Sequence, residues 1–138
     1  MKQLLLTFTL ALTISSAMAE WSKVIQDESG AVVTYFEYDT LKREGDTVKV
    51  WELVDYKFGS TKTLAEYDCM EQRIRSHSGE AFNSGMGEGK IISTNNKLGD
   101  WRKVLPETVG QTLWKIACDK SIAKPKLPDV KPKTSEAE

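Results

Sequence analysis

The chain has one histidine and two cysteines among its 138 residues, and no excess of either charge. Each shortage removes a class of function. His77 alone cannot supply the imidazoles of a zinc or copper site. Glu66 and Asp68 share a strand face but lack the ligand density of a calcium loop. They read as solvated strand positions rather than as a glycosidase-like acid pair. A charge of −1, from 19 basic and 20 acidic residues, gives no electrostatic footprint for nucleic acid. The glycine run SGMGEGK, residues 84–90, fails as a phosphate loop. Ser84 stands where the first glycine is needed, Ile91 stands where Ser or Thr would hold magnesium, and the run leads into a strand. Gly85, Gly87 and Gly89 are instead read as a bulge or sharp bend. No cofactor and no metal is expected.

What is present begins with MKQLLLTFTLALTISSAMAEW. A lysine, a short apolar run and Ala17-Met18-Ala19 before Glu20 have the form of a secretory signal peptide, with residues 1–19 removed. The run falls short of the roughly 18 residues of a membrane helix. The leader has no cysteine, so no lipid anchor is expected. The predicted product is exported into an oxidising space, a periplasm or beyond. Removing the leader takes Lys2 and no acid, so the remainder carries 18 basic and 20 acidic groups. Its length suits one domain with one core.

The C-terminal segment SIAKPKLPDVKPKTSEAE holds three prolines and four lysines and almost no large apolar group. Such a segment cannot offset its ordering entropy by burial, so 121–138 is expected to be a disordered tail, and residues 20–120 the folded domain.

Within that domain the pattern is of strands joined by short turns. Trp21 to Gln26 ends at DESG, and Ala31 to Tyr38 follows, rich in β-branched and aromatic residues. A short strand at Leu41 to Arg43 meets Glu44-Gly45-Asp46, a hairpin connection. Thr47 to Phe58 puts Val48, Val50, Val54, Tyr56 and Phe58 on one face, and Trp51 and Leu53 on the other. Residues 64–78 continue the alternation as one long strand, which places Tyr67, Cys69, Arg73 and Arg75 on one face and Met70 and Ile74 on the other. Lys90 to Thr94 and Trp101 to Val104 complete an antiparallel meander.

A helix comes last. Thr108 is its N-cap, with Gln111 completing a capping box and Pro106 blocking an earlier start. Trp114, Gly110, Ala117, Leu113, Val109 and Ile116 fall on one arc, with Cys118 at its border. Gly110 above Ala117 is expected to let the helix approach the sheet closely.

Two cysteines in an oxidising compartment allow one intramolecular pairing, Cys69 with Cys118, and a disulfide is expected. A Cys69–His77 dyad would be stretched to roughly 26 Å along a straight strand. His77 therefore reads as a surface residue near a turn, and no catalytic residue is assigned. The four tryptophans are read as core packing rather than as a ligand groove. Lys57, Lys62, Arg73 and Arg75 lie on or beside two successive strands. They form either a candidate binding patch for an acidic protein segment or sulfated glycan, or a set of cross-strand pairs with Glu66, Glu71 and Asp55.

VWELVDY, then LAEYDCMEQRIR, then GMGEG, then W-x-x-V-x-P-E-T followed by K-I-A-C, resembles the bacterial surface-adhesin protein E family from Trp21 to Lys120. The resemblance implies an α+β fold: a single antiparallel sheet of about six strands, with the C-terminal helix on its concave face and joined to it by Cys69–Cys118. It also implies a homodimer formed through the sheet. For the namesake it implies binding to host matrix proteins such as vitronectin and laminin through the segment around the strand cysteine, which here carries Lys62, Arg73 and Arg75. The expected function is a non-enzymatic envelope or secreted binding module with a protein or glycan partner. The alternative is a soluble periplasmic protein with an envelope-internal partner or a small ligand.

Overall fold

The computed structural model describes residues 19–122. The expected leader and the Lys/Pro-rich tail lie outside the described residues, apart from Ala19, Ser121 and Ile122. Among the described residues, seven strands form one antiparallel sheet: β1 (Ser22–Gln26), β2 (Val32–Glu44), β3 (Thr47–Tyr56), β4 (Gly59–Asp68), β5 (Arg73–Phe82), β6 (Ile91–Asn95) and β7 (Arg102–Lys103). The first six are neighbours in sequence order, and β7 pairs with the free stretch of β5. Helix α1 (Val109–Cys118) follows. The α+β meander with a C-terminal helix is therefore the observed architecture. No described helix is long and apolar enough to cross a membrane.

The connections follow from turn chemistry. Gly30 and Gly45 both take positive φ, a region that strains a side chain and suits glycine. The two expected strands 31–38 and 41–43 are one strand with a bulge between Glu37 and Lys42. There the Thr40 hydroxyl accepts from Trp51 N–H at 3.1 Å, replacing a ladder bond and carrying the strand through. β3 stops at Tyr56 rather than Phe58, because Lys57 and Phe58 form the hairpin turn to Gly59. The glycine run makes the expected sharp bend, a 3-10 turn at Gly85–Gly87.

The largest departure from the sequence reading lies at residues 64–78. The long strand is two strands, β4 and β5, separated by a tight turn at Cys69–Gln72. Asp68 Oδ1 accepts from Met70 N–H at 3.1 Å and from Glu71 N–H at 2.9 Å. Gln72 then turns the chain with a positive φ. No glycine or proline marks this turn, so the alternation reads straight through it. The reversal also exchanges the faces. Ile74 sits opposite Tyr67 on the helix side, while Arg73 and Arg75 sit opposite Asp68 and Glu66 on the other.

The core lies between sheet and helix. Phe36, Val48, Val50, Ala65 and Tyr67 meet Leu113 and Ala117. Burying each large side chain contributes about 1.5–3 kcal/mol. The Thr108 hydroxyl caps the helix by accepting from Gln111 N–H. Gln111 Oε1 in turn accepts from Glu107 N–H at 3.1 Å, one residue earlier than a reciprocal box requires. Cys69 and Cys118 are disulfide-bonded with Cα atoms 5.7 Å apart. Beside that bond, Trp114 Nε1 donates to Asp68 O at 2.9 Å. The close approach expected at Gly110 is absent. A Cβ there would meet Thr108 Oγ1 at 3.6 Å and Ile74 Cδ1 at 3.8 Å, ordinary contacts.

Candidate functional site

The face of the sheet away from the helix carries the concentrated chemistry. Antiparallel register puts Asp68 beside Arg73 and Glu66 beside Arg75 on this face. Arg73 Nε meets Asp68 Oδ2 at 3.0 Å, and Arg75 Nε meets Glu66 Oε2 at 2.6 Å. A bulge between Leu64 and Ala65 in the β4–β5 register brings His77 in as well, its Nε2 2.6 Å from the same Glu66 oxygen. Both carboxylates are 5% exposed, so they are buried anchors and not the solvated positions expected from sequence. His77 likewise belongs to this ion cluster rather than to a turn.

Electrostatics follow from these contacts. Hydrogen bonding from Glu71 N–H, aided by Arg73, holds the Asp68 carboxyl below its ordinary range despite burial. Burial alone would push Glu66 upward, but the hydrogen bonds and charges of Arg75 and His77 outweigh it, and its pKa is lowered.

Trp101, just before β7, covers the two arginines. Its ring centroid lies 4.8 Å from Arg73 Cζ and 4.2 Å from Arg75 Cζ, within reach of a cation–π attraction. Each guanidinium is thus fixed by one Nε bond and one indole, while its Nη groups donate no hydrogen bond among the described residues. Farther along β4, Lys62 Nζ lies 5.6 Å from the Trp21 ring and 5.0 Å from the Trp51 ring.

The four candidate basic residues therefore fall in three places. Arg73 and Arg75 share Trp101. Lys62 stands on the same face between two other tryptophans. Lys57 lies at the β3–β4 turn, its Nζ 5.4 Å from the Phe58 ring. The cross-strand partners are Glu66 and Asp68; Asp55 instead accepts from Met86 N–H at 3.1 Å.

Sequence reasoning missed the role of three tryptophans. Trp21, Trp51 and Trp101 are half-buried and stacked on cations, whereas Trp114 joins the packing around the core. The available signal was the face assignment of Trp51, which put it opposite the valines of β3. Glu52 was also passed over. It continues the Val48–Val50 face opposite Phe36, and its Oε1 is sealed from solvent with no hydrogen-bond partner among the described residues. Burial pushes its pKa up to about 8, partly offset by the charge of Arg102.

A family model described as surface-adhesin protein E matches residues 21–119. No curated protein and no solved structure gives a significant match.

Proposed function

The chain belongs to the surface-adhesin protein E family, and from that membership we propose that it is a non-enzymatic, adhesin-like module of the envelope that binds a protein through the open face of its sheet. The observation that carries this reading is the pair of guanidinium groups clamped on Trp101 with Nη donors that make no hydrogen bond among the described residues. Tryptophan and arginine are the side chains that most often dominate protein interfaces, and here both are held in place before any partner arrives. A sulfated glycan is less well served. Both arginines on this face already sit against buried carboxylates, so their charge is largely spent before a polyanion arrives.

The test compares the wild-type protein with Trp101→Ala and Lys62→Gln for binding to immobilised vitronectin and laminin. Reversing the arginine charges is avoided because it would strand Glu66 and Asp68. The expected result is binding by the wild type and at least about tenfold weakening by Trp101→Ala, with a melting profile that still shows the variant folded at the assay temperature. Equal affinities would remove this face from the reading, and no binding by any form would remove host adhesion.

A second reading, a soluble periplasmic protein with an internal partner, is motivated by a leader that ends AMA without a cysteine. Protease treatment of intact cells separates the two. Degradation supports surface exposure, and protection supports the periplasmic partner.

A further inference from the structure

At the end of the sheet far from the disulfide, the β3–β4 hairpin presents an apolar surface that nothing in the fold uses. Phe58, at the apex of a two-residue turn, is 84% exposed, and Ile92, Ile91 and Tyr56 nearby are 65%, 50% and 45% exposed. A turn of this kind has no need of phenylalanine, since Gly, Asn, Asp and Ser serve it better. Tyr56, Phe58 and Ile92 also wall one shallow hollow, together with Val32 and Phe82, so these three form a single patch, and Ile91 pairs with Phe82 beside it.

Lys57 is the charged residue lining the hollow, and its ammonium rests against the Phe58 ring. Lys90 immediately precedes Ile91, and neither lysine forms an ion pair among the described residues. The nearby carboxylates Asp27 and Asp55 already accept hydrogen bonds from backbone N–H groups. Asp27 is engaged by Ser29 and Val32 N–H within its own turn. The loop with Glu88 folds over the opposite face, where Met86 N–H and Gly87 N–H bond Asp55 and Ser60.

We propose that this tip, centred on Phe58 with Ile91 and Ile92 and flanked by Lys57 and Lys90, docks on an anionic lipid bilayer. The most exposed group projects from a turn, which suits insertion into a headgroup layer better than capture of a peptide in a cleft. Lysines beside it can keep their ammonium groups at the phosphate level while the rings and methyls enter the acyl boundary. A handful of apolar groups and two cations gives weak, reversible binding that strengthens on an anionic surface. Such a contact would hold the protein reversibly at a membrane. It uses the end of the sheet opposite the disulfide and leaves the tryptophan–arginine cluster free.

The experiment is co-sedimentation of the protein, purified after export with its amino terminus mapped, with vesicles of phosphatidylglycerol and phosphatidylethanolamine or of phosphatidylcholine alone. Wild type is expected to bind the anionic vesicles several-fold better, and to lose binding as salt rises from about 0.1 M to about 0.5 M. Phe58→Ser combined with Ile92→Ser should lower partitioning about tenfold or more, and Lys57→Gln should remove part of the salt-sensitive fraction. These positions are exposed, so an unchanged melting curve verifies the fold of each variant. Equal sedimentation of wild type and the double variant overturns the proposal, as does absence of binding to the anionic vesicles. Patch-dependent self-association without vesicle binding also overturns it and assigns the patch to a second copy. Trp101→Ala should bind vesicles like wild type, so failure of the protein-binding reading leaves this result standing and the reverse also holds.

Discussion

Arg75 Nε stands 2.6 Å from Glu66 Oε2, joining a half-buried guanidinium to a carboxylate whose side chain is 6% exposed. Such a pair is worth little net against a well-packed apolar substitute, but removing one partner leaves a charge stranded in the sheet. Arg75→Met is therefore expected to cost about 2–3 kcal/mol, below the roughly 3–5 kcal/mol of a fully buried pair because Arg75 is partly open. Adding Glu66→Gln should return most of that loss. Urea unfolding of the two single variants and the double variant measures the coupling, and simple additivity would show that the pair does not act as a unit.

The same contacts set an acid limit. Glu66 and Asp68 both have folded pKa values below their ordinary 4.5 and 3.8. A depressed carboxyl stabilises the fold fully above its unfolded pKa and loses that contribution as pH falls through the folded value. Melting temperature should hold at about pH 5 and drop steeply below about pH 4. Glu66→Gln should flatten part of that drop.

Glu52 acts in the opposite sense. Its pKa is raised from 4.5 to about 8, so the folded state holds a proton that the unfolded chain releases above pH 4.5. The stability tied to that proton is fully present below pH 4.5 and is lost progressively as pH rises toward about 8. Together with the acid limb, this places the stability maximum near about pH 5. Glu52→Gln should stabilise the protein at about pH 8 by on the order of 2 kcal/mol and leave about pH 4.5 nearly unchanged, as thermal melts across that range would record. A melting temperature that keeps rising from about pH 5 to about pH 8 in the wild type would contradict the assignment.

The meander and the helix were legible because their signals are local and repeated. The alternation of β3, Gly45 in its turn and Thr108 ahead of an apolar arc each point to one structure. The open face was not legible, and the reason is a single turn. Asp68 reverses the chain by binding Met70 and Glu71 N–H, without the glycine or proline that usually marks a reversal. Reading through it moves Arg73 and Arg75 to the wrong side of the sheet and separates His77 from Glu66. The stacking of Trp101 on both arginines depends on β7 returning to pair with β5 after the whole excursion through β6, a contact no periodicity encodes.

Gly110 tests whether helix or packing chose that residue. A helix-interior glycine costs up to about 1 kcal/mol relative to alanine. An added Cβ would find only ordinary contacts, at 3.6 and 3.8 Å. Gly110→Ala is expected to stabilise the fold by about 0.5–1 kcal/mol in urea unfolding. Destabilisation would mean that the helix packs more tightly on Ile74 than those distances allow.

The disulfide between Cys69 and Cys118 has a sequence separation of 49 and ties the turn after β4 to the last residue of the helix. Closing a loop of that length restricts the unfolded chain by about 4 kcal/mol in the chain-entropy account, a large share of the roughly 5–15 kcal/mol typical of a domain. The folded helix has other attachments: Leu113 and Ala117 are in the core, Trp114 bonds Asp68 O, and Arg43 Nη2 donates to Asp119 O at 2.7 Å. Reduction should therefore lower the unfolding free energy by about 4 kcal/mol while leaving the far-ultraviolet spectrum at low temperature nearly unchanged. Cys69→Ala with Cys118→Ala should behave in the same way. Hydrogen exchange would locate the effect. If the bond acts on the unfolded chain, helix and strand amides lose protection together; if it chiefly pins the helix, α1 alone opens and the global loss stays below about 1 kcal/mol.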